Sequence, residues 1–308
     1  MSSAAPIEAR RADAVLLCIT AFWGVTFVTV KDAVVLADPF TFLALRFCLG
    51  AILLTLVAWR AMRGAALVGA GAGLGVLLFV GFAAQTSGLQ FTTPSRSAFL
   101  TGLSVLLVPF LSIAIHRRRP APASLVGVAF AVCGLWALAG GTSFGMPKGL
   151  GKGEQLTLLC ALAFALHITL IGKLAQKYSP APLVAVQLWT VALLALLTLL
   201  ALGPRLQATP SLWRAVLITG LGGSAVAILL QAWAQARTTA VRAALVYALE
   251  PVFASAYSVA LGREQLGLRE LAGGGLIILG VIASELGAQG WTWARRVLGR
   301  QGRRPGPV

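Results

Sequence analysis

Charged residues are scarce in this chain of 308 residues. Asp, Glu, Lys and Arg together make up 11% of it, whereas about 25% is typical of soluble domains. A soluble domain of this size needs a polar surface, so this scarcity excludes a soluble enzyme, a soluble nucleic-acid binder and a disordered scaffold. Hydrophobic residues make up 58% of the chain, which indicates a protein that crosses the membrane several times.

Signatures of catalysis and of cofactor binding are also missing. The sequence has no HExxH pair and no Gly-rich loop that ends in Gly-Lys-Ser/Thr. Its four cysteines, Cys18, Cys48, Cys133 and Cys160, lie in apolar runs without a CxxC pair, so they predict small packing residues. We therefore expect no catalytic residue, no metal, no cofactor and no self-contained ATP-driven pump.

Ten apolar stretches come close to the roughly 20 residues that a helix needs to cross a bilayer. They are 14–30, 40–59, 65–89, 97–115, 121–140, 155–171, 182–202, 215–234, 243–261 and 271–286. A polar, Gly-rich break separates the first five from the last five. The sequence thus predicts an all-α integral membrane protein of ten transmembrane helices, with a first repeat at 12–141, a second at 153–288 and a basic cytoplasmic tail at 289–308.

Lys and Arg are distributed unevenly over the predicted loops. With the N-terminus inside, the cytoplasmic loops and tail carry 16 of these residues and the outer loops carry 8. Cytoplasmic loops accumulate basic residues, so this bias predicts that both termini are cytoplasmic and that the protein lies in the inner membrane. The net charge of +16 then predicts contact with anionic lipid at the basic loops, and no binding of nucleic acid.

The two halves of the sequence are related. With an offset of 146, residues 85–137 align without a gap on residues 231–283, and 13 of the 53 positions are identical. The matches include Gln85 with Gln231 and Arg96 with Arg242. An offset of 142 aligns the first helix with the sixth. Because each repeat has five helices, the second must enter the membrane inverted, and inverted repeats place a substrate site between them near mid-membrane.

Several short motifs, in their order and spacing, resemble the drug/metabolite transporter superfamily, and in particular proteins with two EamA-type domains. The resemblance covers roughly residues 12–288. It rests on Phe22-Trp23-Gly24, Pro39…Leu45-Arg46-Phe47, Gly88-Leu89-Gln90-Phe91-Thr92-Thr93, Gln231-Ala232-Trp233-Ala234-Gln235, Thr238-Thr239…Arg242-Ala243-Ala244, Leu249-Glu250-Pro251-Val252 and Leu261-Gly262-Arg263-Glu264. The family's acidic residue after the ninth helix is matched by Glu264, whereas the first repeat has Arg118 there. The resemblance implies a ten-helix transporter of small organic solutes, with helices 1–4 and 6–9 around a central cavity.

Ionisable groups are costly inside a bilayer and normally face a cavity or a partner. The predicted spans contain Arg46, His167, Glu250 and Glu285. Glu250 is either a cavity carboxylate that binds an amine or a proton, or a structural group tied to Arg46 or to a backbone group freed by Pro251. His167 is either a proton relay or a hydrogen-bonded bundle residue, and Arg46 is either a helix clamp or an anion binder.

Amide and aromatic side chains complete the candidate site. Gln85 and Gln231 would line opposite gates or bond helices together. Three aromatic residues, Trp189, Trp233 and Tyr247, would stack on a solute or serve as packing and interfacial anchors. The candidate substrate cavity therefore comprises Trp23, Arg46, Gln85, His167, Trp189, Gln231, Trp233, Tyr247 and Glu250.

The sequence thus favours a secondary transporter that exports a small organic metabolite, amino-acid-like or amphipathic, by alternating access. The alternatives are a proton-coupled multidrug exporter and a membrane-embedded enzyme or sensor. The expected partners are the solute and membrane lipid, while proton coupling and a homodimer stay open.

Overall fold

The structure is a computed structural model that describes residues 4–117, 119–138, 151–263, 265, 267–269 and 271–284. Glu264, Arg118, Glu285 and the predicted tail at 289–308 lie outside the described residues. Within the described part, the chain forms ten helices, which we number in chain order. They are α1 (Ala4–Leu36), α2 (Pro39–Ala58), α3 (Ala65–Gly88), α4 (Pro94–His116), α5 (Pro122–Leu138), α6 (Lys152–Lys177), α7 (Pro180–Leu202), α8 (Pro210–Gln235), α9 (Ala240–Ala260) and α10 (Leu271–Ser284).

Eight of these helices, all except α5 and α10, are long and apolar enough to cross a membrane. The prediction of an all-helical integral membrane protein is therefore confirmed. The shorter α5 and α10 are also apolar, so a total of ten spans stays a prediction. The first predicted span, 14–30, is shorter than α1, because the helix continues through the polar residues that flank its apolar centre.

Local sequence explains where many of the helices begin. Helices α2, α4, α5, α7 and α8 start with proline, whose fixed φ suits a first helical turn and whose missing N–H would have no helical partner there. The side chains of Asp38, Thr93, Thr209 and Thr239 cap α2, α4, α8 and α9 by accepting hydrogen bonds from the first-turn N–H groups. Thr93 and Thr239 are equivalent residues at the offset of 146.

Helices α4 and α9 are interrupted at equivalent positions. The first segment of α4 ends at Gly102 and the second begins at Ser104, whereas those of α9 end at Tyr247 and begin at Glu250. At each interruption a leucine N–H bonds three residues back, from Leu103 to the carbonyl of Leu100 and from Leu249 to that of Val246. Only α9 has a proline beside its break, so proline alone does not cause the shared interruption.

Helix α8 contains a π-helical segment, Ile218–Val226, between two α-helical ones. The equivalent residues of the first repeat, 72–80, continue an unbroken α-helix in α3. This segment is therefore a local difference between the two repeats. Turns of π-helix are rare and are often found at functional sites.

The helix pairs that pack together correspond when the two repeats are exchanged. Helix α3 packs on α6 and α7, and correspondingly α8 packs on α1 and α2. Helix α1 packs on α9 as α6 packs on α4, and the equivalent helices α2 and α7 pack on each other. The fold therefore has an approximate two-fold symmetry that exchanges the two halves of the chain.

Equivalent glycines bring α5 and α10 into close contact. A Cβ atom added at Gly127 would lie 2.6 Å from the carbonyl oxygen of Gly280, and one added at Gly134 would lie 2.5 Å from that of Gly273. Such an approach is open only to glycine. Since the earlier residue of α5 meets the later residue of α10, the two helices run antiparallel.

Candidate functional site

A cavity of about 60 Å³ lies between the two repeats. Its walls come from α1, α2, α3, α4, α6, α8 and α9. Seven of the nine predicted residues line it, namely Trp23, Arg46, Gln85, His167, Gln231, Tyr247 and Glu250. Residues that are far apart in sequence thus share one cavity.

The other two predicted residues, Trp189 and Trp233, do not line this cavity. Trp189 is 38% exposed, and its Nε1–H donates to Thr55 Oγ1 at 2.8 Å, which ties α7 to α2. The ring of Trp233 lies under the guanidinium of Arg237, 4.4 Å from the ring centroid. These positions fit the packing and interfacial roles that the sequence left open for them.

Glu250 is the first residue of the second segment of α9 and is only 9% exposed. Neither Arg46 nor any other described residue forms a hydrogen bond or an ion pair with it. The N-terminal end of the helical segment favours negative charge, but a buried carboxylate still requires a partner. Its side chain lines the cavity, where a bound solute could contact it.

Arg46 is 2% exposed and reaches the cavity from α2. Its Nε–H donates to Ser224 Oγ at 2.8 Å, in the π-helical segment of α8. The guanidinium carbon lies 4.8 Å from the ring centroid of Phe82 and 5.2 Å from that of Phe47, which are favourable cation–π distances. Arg46 therefore clamps α2 to α8 and also presents positive charge to the cavity wall.

His167 is buried on α6 and contacts Gln187 on α7, with 2.9 Å between His167 Nε2 and Gln187 Oε1. The amide nitrogen of Gln187 donates to the carbonyl of Leu183, so its oxygen is left to accept. His167 Nε2 must then carry the proton. This arrangement favours a hydrogen-bonded bundle residue at the cavity wall, the second of the two roles predicted for His167.

The paired glutamines bond within their own repeats. Gln85 Nε2 donates to Thr101 Oγ1 at 3.2 Å, and Gln231 Nε2 donates to Gln235 Oε1 at 2.9 Å. In the second repeat, Tyr247 is equivalent to Thr101. Trp23 joins the two halves, because its Nε1–H donates to the carbonyl of Gly223 at 2.9 Å and its ring packs against Tyr247.

Sequence reasoning missed the smaller and apolar parts of the wall. These are Thr26, Phe27, Val30, Leu78, Phe82, Leu89, Thr101, Ser104, Phe164, Ile168 and Ile228. The repeat could have predicted several of these wall residues from their equivalents. At an offset of 146, Thr101, Ser104 and Phe82 are equivalent to Tyr247, Glu250 and Ile228, which also line the cavity. Together with Gln85 and Gln231, these matching positions supply eight of the 18 wall residues.

The cavity wall is mostly apolar and also presents a carboxyl group and a guanidinium. Apolar and aromatic side chains cover most of its surface, Glu250 supplies a carboxylate and Arg46 supplies a guanidinium. Such a site binds a small molecule that has an apolar body and polar ends. These features define a helical membrane protein with an internal solute cavity between two repeated halves.

Comparison with known proteins identifies the family. The EamA-like transporter family matches the chain twice, over residues 10–140 and 151–285, and the chain belongs to this family. An uncharacterized transporter of Archaeoglobus fulgidus is 30% identical over 277 residues, which cover 89% of this chain and 86% of that protein. The uncharacterized transporter YetK of Bacillus subtilis is 32% identical over 94 residues, or 30% of this chain and 28% of YetK.

A solved crystal structure has the same fold. It covers 91% of this chain and 99% of its own, with a TM-score of 0.74 and 19% sequence identity. The family and the names of the relatives indicate a membrane transporter, as the sequence predicted.

Proposed function

We propose that the protein is a secondary transporter that exports a small organic metabolite across the cytoplasmic membrane by alternating access. In this proposal ten helices span the membrane as two inverted repeats, and both termini are cytoplasmic. The observation that carries it is the cavity between the repeats, where Glu250 is buried without a hydrogen-bond or ion-pair partner among the described residues and matching positions of both halves contribute to the walls. Exchange of the two halves' conformations would open such a cavity first to one side and then to the other.

The antiparallel contact of α5 and α10 supports the inversion. These helices occupy equivalent places in the two repeats, and the Gly127–Gly280 and Gly134–Gly273 contacts require opposite directions. The same two-fold relation recurs in the packing of α3 on α7 and of α8 on α2. An inverted second repeat accounts for both observations.

The size and charge of the cavity support a small, amino-acid-like solute over a large drug. Pockets for drug-sized ligands occupy about 300–1,000 Å³, whereas this cavity has about 60 Å³. Its carboxylate and guanidinium would complement the amine and the carboxylate of such a solute. A multidrug exporter would require a much larger separation of the helices.

The test is transport by purified protein in liposomes. Proteoliposomes would be loaded in turn with labelled amino acids, amines and organic acids, with protein-free liposomes as the control. We expect at least one small solute to leave the vesicles faster than from the control and to be recovered chemically unchanged. Conversion of the solute would favour an enzyme, and an absence of flux for all of the solutes would overturn the proposed function.

A further inference from the structure

A lysine of α1 makes a bridge between two helices beside the cavity wall. Lys31 Nζ donates to the carbonyls of Leu89 at 2.5 Å and Thr92 at 3.0 Å, with that of Gln90 at 3.5 Å. These carbonyls lie at the end of α3 and in the turn that follows, where helical partners are missing and the helix dipole is negative. Val30, beside Lys31, and Leu89 both line the cavity, so the ammonium group bridges α1 and α3 directly at the cavity wall.

A glutamine of α8 makes a second bridge beside the cavity wall. Gln235 is 1% exposed, and its Nε2 donates to the carbonyl of Ile168 on α6 at 2.9 Å. Its Oε1 accepts from Gln231 Nε2 at 2.9 Å and lies 3.5 Å from the hydroxyl of Tyr247. Three of its neighbours, Ile168, Gln231 and Tyr247, line the cavity. Gln235 thus bridges α6 and α8 as Lys31 bridges α1 and α3.

The two bridges occupy equivalent helix junctions. Gln235 corresponds to Leu89 at the offset of 146, and α6 corresponds to α1 at the offset of 142. In the first repeat the side chain of α1 donates to the backbone at position 89. In the second repeat the side chain at position 235 donates to the backbone of α6. The same junction is therefore bonded in both halves with the direction of donation reversed.

We propose that Lys31 and Gln235 are the two latches of the cavity, Lys31 at the outer end and Gln235 at the inner end. This inference rests on the proposed alternating access. Each latch must release before its own end of the cavity opens, because each bond joins the helices that would separate there. Loss of a latch shifts the population towards the state that is open on that side and away from the other. Hydrogen bonds from a charged donor are the stronger ones, so loss of Lys31 has the larger effect.

A cysteine in the cavity wall reports the open side. Ser104→Cys would be introduced after the four native cysteines are replaced, and labelling by a membrane-impermeant maleimide would be followed separately in right-side-out and inside-out vesicles. We expect Lys31→Met to raise labelling from the outside at least threefold and to lower labelling from the inside. Gln235→Leu, which installs the residue found at position 89, has the opposite effect and a smaller one.

Lys152→Met is the matched control. The Nζ of Lys152 lies 4.7 Å from the centroid of the Phe91 ring, near the end of α3, and does not bond the carbonyls that Lys31 binds. Labelling that is equal in Lys31→Met and Lys152→Met would overturn the latch. If Lys31→Met yields no folded protein on size-exclusion chromatography, Lys31→Gln gives the same test. A rise from the outside without a fall from the inside would support the latch and overturn alternating access.

Discussion

Positions 101 and 104 of the first repeat and positions 247 and 250 of the second face the same cavity with different chemistry. The first repeat presents the small hydroxyls of Thr101 and Ser104, whereas the second presents Tyr247 and Glu250. Both pairs flank the same interruption in their helix. The backbone feature is therefore common to the two halves, while at these four positions the carboxyl group and the aromatic ring belong to the second.

The ion pairs made by the first turns of α4 and α9 are, by contrast, similar in the two halves. Arg96 at the start of α4 contacts Glu154 of α6 at 3.2 Å, and Arg242 at the start of α9 contacts Asp13 of α1 at 2.5 Å. The arginines are equivalent, and their partners lie on equivalent helices, Glu154 in the first turn of α6 and Asp13 further along α1. Similar ion pairs thus stabilise the helix packing of both halves, which we call the frame, although the two halves differ inside the cavity.

The frame and the cavity therefore follow different constraints. In the proposed alternating access each half takes the part of the other, so the helices of the two halves must pack alike. The cavity residues need not match, since an amino-acid-like solute would meet one carboxyl group and one guanidinium.

The glycines shared by α5 and α10 give the largest expected effect. In Gly127→Ala and Gly134→Ala the added Cβ meets a backbone carbonyl at 2.6 and 2.5 Å, so the helices must separate. We expect each change to cost up to about 3 kcal/mol, as overpacking does, and both to cost similar amounts. Thermal unfolding in detergent measures this. Gly69→Ala is the control, because nothing lies within 4 Å of its added Cβ. Unequal losses at Gly127 and Gly134 would break the symmetry.

Glu250 tests the asymmetric site. Glu250→Gln keeps the size of the side chain but removes its ionisable carboxyl group, and we expect transport to fall at least about tenfold, or 1.4 kcal/mol. Ser104→Ala, at the equivalent position, should cause a smaller fall. Transport is measured in proteoliposomes with protein matched for yield and for elution on size exclusion. A well-folded Glu250→Gln protein with the normal transport rate would remove Glu250 from the site.

Much of the frame could be predicted from the sequence. Long apolar stretches predict the helices because a bilayer demands about 20 apolar residues per span, and Gln85, Arg96 and Gly127 revealed the repeat through a fixed offset. Buried Glu250 and Arg46 were found because charge is costly in the bilayer. These signals depend on composition and spacing, which can be read from the sequence without knowledge of how the helices pack.

The rest of the site depends on contacts that the sequence does not contain. The partners of Arg46 are Ser224, Phe47 and Phe82, and a bond between residues 178 positions apart cannot be read from local pattern. Apolar wall residues such as Phe27 resemble every other buried residue of a membrane helix. Trp189 and Trp233 were included because of their residue type, but their helices turn them away from the cavity.

The smallest effect is expected at the start of α2, where the repeats differ in capping. Asp38 Oδ1 accepts from the N–H groups of Phe40 and Thr41 at 3.0 Å, and Oδ2 accepts from that of Arg205 at 2.9 Å. Ser179, at the start of α7, makes no side-chain cap bond. We expect Asp38→Ala to destabilise the protein by about 1 kcal/mol and Ser179→Ala to have no measurable effect. Equal effects would remove this difference between the repeats.

The pH dependence of the Asp38 cap has a definite sign. Burial alone would raise the pKa of Asp38, but the hydrogen bonds that its carboxylate accepts outweigh burial and lower the pKa below the usual 3.8. Because the folded pKa is the lower one, the cap stabilises fully above the unfolded pKa and is lost as the pH falls through the folded pKa. The difference in thermal unfolding between wild type and Asp38→Ala should therefore be full at about pH 7 and shrink below about pH 4. A difference that stays constant across this window would show that the uncharged side chain caps α2 equally well.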